Sequence, residues 1–202
     1  MTLVVLLITF LSACDALLQS TTDPDGIVYC SEGSPASFNP QLDTSGTTVD
    51  ASSHQIYDRL IDFDPVTGNI VPALATSWLT SDDGKTYTFQ LRKEVAFHKT
   101  ETFKPTRFFN ADDVLFSINR WRLTDHPYHE ISGGRYPYTD SLNLGELITQ
   151  VKRLNGYRVE ITLSKPESSF LANLATDFSV ILSAEYADTL TSRNQKELID
   201  YS

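Results

Sequence analysis

Basic residues are in short supply. Of 202 residues, 16 are Lys or Arg against 26 Asp or Glu, and none of the basic ones cluster. A net charge of -10 with no cationic stripe excludes a phosphate-tracking surface, and with it a nucleic-acid partner. Long apolar runs are also missing: the longest, residues 3–11 (L-V-V-L-L-I-T-F-L), is too short to span a bilayer as a permanent helix. There is no internal repeat, no Gly-x-Ser-x-Gly turn, and no Cys-His or Ser-His-Asp spacing suited to nucleophilic catalysis. Gly84-Lys85-Thr86 has the look of a phosphate loop, but the first glycine of that motif is replaced by Leu79 and a strand pattern, not a helix, follows. Cysteine occurs only twice, as Cys14 and Cys30.

What is present suffices for a packed core: 41% of the residues are apolar and 11% aromatic. The apolar run at residues 3–11 reads as an export signal, and Leu11-Ser12-Ala13-Cys14 resembles the lipobox at which bacterial lipoproteins are cut and acylated. Residues 1–14 are therefore expected to be a lipoprotein-type signal with Cys14 as the lipidated residue. Asp15 resembles the signal that retains lipoproteins at the inner membrane. The alternatives are a plain signal peptide or a buried N-terminal strand, and Met1-Thr2 lacks the usual basic start. Residues 15–25 are polar and turn-forming, a tether. Cys30, left alone in an exported chain, is either a buried apolar residue of a strand at 27–30 or half of a disulfide whose partner lies elsewhere.

Along the body, Val49, Ile56, Leu60 and Ile61 predict one helix capped by Thr47 or Thr48. Residues 64–69 (D-P-V-T-G-N) predict a turn. The turn Ser81-Asp82-Asp83-Gly84 leads into a strand with Tyr87, Phe89 and Leu91 inward. Asn110 caps a helix buried through Val114, Ile118 and Trp121. A second hairpin turns at Asn155-Gly156, with Tyr157, Val159, Ile161 and Leu163 inward, and helices follow at 169–174 and 184–190. Residues 198–202 carry no Gly or Lys/Arg stop, so nothing in the sequence closes the fold there. Asp112 and Asp113 form a carboxylate pair, but acids at a helix start are expected to be caps; catalysis by them as an exported peptidase is the rival reading. His126 and His129 have metal-ligand spacing only on a helix, which Pro127 opposes, and no third ligand is near. No metal or other cofactor is expected.

Three blocks in order carry a resemblance: I-V-Y-C-S-E-G-S (27–34) with Phe38-Asn39-Pro40, residues 73–98 (A-L-A-T-S-W-L-T-S-D-D-G-K-T-Y-T-F-Q-L-R-K-E-V-A-F-H), and residues 109–120 (F-N-A-D-D-V-L-F-S-I-N-R). Together they resemble extracellular solute-binding protein family five, the peptide- and nickel-binding receptors that serve ABC importers. The dipeptide-binding branch is similar through residues 46–53, 104–107, 126–129, 132–134 and 183–188, and a haem- or glutathione-binding lipoprotein branch through the lipobox.

The resemblance implies an α/β, periplasmic binding protein-like fold of class II, two-lobed with an extra subdomain, of which this chain holds only the N-terminal part. It divides the chain into 26–62, the start of lobe I; 63–175, the extra subdomain with two hairpins; and 176–202, a return to lobe I. It implies a non-enzymatic periplasmic receptor that takes dipeptides or oligopeptides (alternatively haem or glutathione), hands them to a permease in the inner membrane and is held there by its lipid. Thr44, Ser45, Gly46 and Thr47 correspond to the ligand-facing loop of the first lobe, against the alternative of an ordinary helix-start loop. The groups that grip the two ends of a dipeptide, and the partner of Cys30, would lie after residue 202. A truncated product without function is the remaining alternative.

Overall fold

The structure, a computed structural model, describes residues 30–200. Cys14, the tether and the expected strand residues 27–29 lie outside the described residues. The chain divides into two units, Met1–Glu32, of which only the last three residues are described, and Gly33–Ser202. Cys30 is exposed, a free thiol outside any strand, so the buried-core reading of this cysteine is corrected.

The second unit opens with a helical segment wound in three parts: α1 (Gly46–Thr48), a π-helical stretch Val49–Ser53, and α2 (His54–Ile56). The cap is Ser45, not Thr47 or Thr48: its hydroxyl accepts from the Thr48 N–H, and Thr48 itself is buried. The expected run to Ile61 is also corrected. Tyr57 is extended (φ -112, ψ 153), and tertiary pairing claims the backbone beyond it. Ile181 N–H donates to the Asp58 carbonyl, Arg59 bridges Val180, and the N–H groups of Leu74 and Ala75 bond the Arg59 and Leu60 carbonyls. These bonds offer the chain more than a continued helix would, because every buried backbone group is satisfied.

Two antiparallel sheets follow. β1 (Ile61–Phe63) and β2 (Ile70–Pro72) form a small hairpin whose turn is tied by Asp64, which accepts the N–H groups of Val66 and Thr67. β3 (Ala75–Thr80), β4 (Thr86–Leu91), β5 (Ile148–Asn155) and β6 (Arg158–Leu163) make the main sheet in the order β3-β4-β6-β5. Tyr87, Phe89 and Leu91 of β4 are buried and alternate with half-buried polar residues, as the period-2 pattern requires. The turn before β4 depends on Gly84, which sits at φ +68 with Pro166 only 3.3 Å from where a Cβ would stand. The second turn is shifted by one residue from expectation. Gly156 and Tyr157 form the loop, because Asn155 Oδ1 accepts the Tyr157 N–H and the Gly156 carbonyl is taken by Ala111 N–H.

α3 (Ala111–Arg122) packs on the sheet through Val114, Ile118 and Trp121. Its start is a full capping box: Asn110 receives the Asp112 N–H while Asp113 receives the Asn110 N–H. Short helices α4 (Pro137–Ser141) and α5 (Leu144–Leu147) lead into β5, and α6 (Phe170–Leu174) and α7 (Ala184–Ser192) follow β6. One contiguous apolar core joins Leu60 and Ile61, the main sheet, α3, Phe170, Leu174 and Ile181. The far end is closed after all: Lys196–Asp200 forms a 3-10 turn that buries Ile199 and Asp200. Among the described residues, no helix is long and apolar enough to cross a membrane.

Candidate functional site

The loop of residues 44–47 is built around Asp43. Its carboxylate accepts the Ser45 N–H at 3.2 Å and the hydroxyls of Ser45 and Thr48, and the Ser45 hydroxyl in turn caps α1. Partial burial pulls the Asp43 carboxyl up, but these hydroxyl and backbone donors together outweigh it and hold it below its ordinary range. Thr44 and Gly46 are exposed, and Ser45 and Thr47 are half-buried with their hydroxyl oxygens 3.3 Å apart. Nothing stands within 4 Å of where a Gly46 Cβ would lie, so no crowding within the chain calls for glycine there. The structure therefore brings all four residues together on one open turn. Asp43, the anchor, went unnoticed in the sequence although Asp43-Thr44-Ser45 has the make-up of an Asx turn.

A second feature is an open cleft of about 720 Å³ bordered by His54, Tyr57, Phe97, Phe103, Ile181 and Tyr186, among others. Residues 44–47 do not border it. They begin the helical segment whose far end, about 10 Å away, supplies His54 to the cleft rim. Burial pushes the Tyr57 phenol up to about 12, and the Asp200 charge adds to the shift. The lining comes from four stretches far apart in sequence, which is why no local pattern announced it.

The carboxylate pair at the start of α3 does not form a catalytic dyad. Asp113 is fully buried and gripped by both Arg107 guanidinium nitrogens at 2.7 and 2.8 Å and by the Ala184 N–H at 2.8 Å. The bond from Asp113 raises Arg107 further above its ordinary value. Asp112 faces elsewhere, to Arg153 at 2.7 Å. The two histidines also diverge: His126 Nδ1 receives the Tyr128 N–H, and His129 Nδ1 meets the Arg120 carbonyl at 2.8 Å. No group of three or more metal-ligating side chains occurs among the described residues.

Comparison with known proteins decides the family. A family model described as "Bacterial extracellular solute-binding proteins, family 5 Middle" matches residues 69–199, well over half of the chain. The chain belongs to this family. Among family 5 proteins, the dipeptide-binding protein of Escherichia coli K12 is 52% identical over 174 residues, covering 86% of this chain and 32% of that protein. Heme-binding protein A of Haemophilus influenzae is 47% identical, covering 86% and 32%. In structure, the dipeptide-binding protein of Pseudoalteromonas sp. SM9913 in complex with Met-Leu superposes with a TM-score of 0.85 at 50% identity, over 87% of this chain and 34% of that one. The chain thus spans about a third of the length of the family 5 proteins it matches. Its α/β fold is that of part of a periplasmic binding protein.

Proposed function

We propose that this chain is part of a non-enzymatic receptor that captures dipeptides or oligopeptides outside the inner membrane and delivers them to an ABC permease. The observation that carries the reading onto this chain is the loop of residues 44–47. A glycine that no neighbour within the chain demands is held on a rigid, Asp43-anchored turn, between hydroxyls suited to bonding a peptide backbone. Residues 1–14 serve as its export signal and Cys14 as its lipid attachment. The chain divides at 62/63 and 175/176 into two stretches of the first lobe and an inserted subdomain, a reading supported by the pairing of Arg59 with Val180. A second reading, haem as ligand, is favoured by the aromatic cleft with His54 and His98 on its border and by the haem-binding name of one relative. The partner of Cys30 lies downstream in the longer protein.

Calorimetric titration of the full-length protein with a dipeptide, with haem and with glutathione separates these. The expected result is dipeptide binding, weakened about tenfold or more in Gly46→Val with the circular dichroism unchanged, as loss of close backbone contact predicts. Haem binding without dipeptide binding moves the assignment to the second reading. A dipeptide response untouched by Gly46→Val removes the loop from the site.

A further inference from the structure

The main sheet has two edges, and they are finished differently. At β5, Lys152 and Arg153 stand on the strand and Arg122 of α3 donates to the Ile148 and Thr149 carbonyls, so this edge is charged and covered. At β3 neither protection exists: residues 70–81 contain no charged side chain, in a chain with a net charge of -10. Leu79 is 71% exposed, and Thr76, Ser77 and Thr80 are exposed as well. Among the described residues β3 pairs only with β4. Ser81 N–H bonds the Thr86 carbonyl, and Leu79 lies opposite Thr88 and Ser77 opposite Gln90. The backbone groups of Trp78 and Thr80 therefore point away from the sheet, ready to bond another strand.

We infer that β3 is a self-pairing edge, at which a second copy of this chain adds antiparallel to give a two-fold dimer centred on Trp78. Charge favours this occupant. Arg92 is exposed, with its Nε on the Ala73 carbonyl at 3.0 Å. With Trp78 opposite Trp78, Asp82 of one copy lies opposite Leu74 of the other, and Asp83 opposite Ala73. Each copy thus sets its acidic turn beside the other's Arg92, twice by symmetry. No like charges meet in between. A six-residue strand on each side falls below a standard interface, so the association belongs at about 0.1–1 mM.

Sedimentation velocity on the full chain from about 10 µM to about 1 mM tests this. The wild type should dimerise over that range. Thr80→Pro removes an outward N–H without touching the β3–β4 ladder and should abolish dimerisation while leaving circular dichroism unchanged. Asp82→Lys or Arg92→Asp alone should weaken association about fivefold or more, and the double exchange should restore it. A chain that stays monomeric throughout, an association indifferent to Thr80→Pro, or a double exchange no better than the single changes overturns the inference. Association through the apolar N-terminal run would show itself by that indifference.

Discussion

Arg120 is the largest side chain fully withdrawn from water, and its partners come from four places in the chain. Asp200 bonds it at 2.7 Å, the Tyr128 carbonyl accepts its Nε, and the Tyr136 ring lies 5.8 Å from the guanidinium carbon. Asp200 is held in turn by Asn39 at 2.7 Å and by the Ser132 hydroxyl. Removing one charge leaves the other buried and uncompensated, so Arg120→Met should cost about 3–5 kcal/mol in urea unfolding. Arg120→Met with Asp200→Leu should recover much of the loss, since a buried pair is replaceable by apolar groups. Single and double variants of equal stability would show that the pair is not electrostatically coupled. Asp43 yields a pH prediction. Its folded carboxyl titrates below the unfolded value of about 3.9, so the stabilisation is complete above that value and lost as pH falls through the folded pKa. Amide exchange at Ser45 and Thr48 should quicken below about pH 4 in the wild type and be fast at neutral pH in Asp43→Ala.

Among the elements, those fixed by local chemistry behave as separate statements in the sequence. The α3 cap is one: Asn110→Ala removes the acceptor for the Asp112 N–H and should cost about 1 kcal/mol, read as a lowered urea midpoint with unchanged slope. The β3–β4 and β5–β6 hairpins were readable because a two-residue period and turn residues both lie within a few positions of each other. The helical segment at residues 46–56 was not. Its π-helical middle turns Ser52 and Ser53 inward where a regular helix would bury its apolar residues, and Ile56 is left 40% exposed. Its end was set by bonds to residues 73–75 and 180–181, which no window around Tyr57 contains.

For the whole unit, a single core crosses both points at which family likeness divides the chain, joining Leu60 and Ile61 to Phe89, Ile118 and Ile181. Residues 33–200 should therefore unfold in one cooperative step, and Phe89→Ala, at 0% exposure, should lower that stability by about 3–5 kcal/mol for every probe together. Two separated transitions by fluorescence and near-ultraviolet dichroism would show independent parts instead. The hairpins, the α3 cap and the family were determined by residues that are neighbours in the chain, because turn, cap and alternation are local chemistry. The loop of residues 44–47 could be named that way too, although not its anchor. The Arg120–Asp200 pair, the cleft and the end of the first helical segment were decided only by the tertiary structure. Each is made by groups tens of residues apart, whose meeting depends on how the core packs and on where buried backbone and charge find partners.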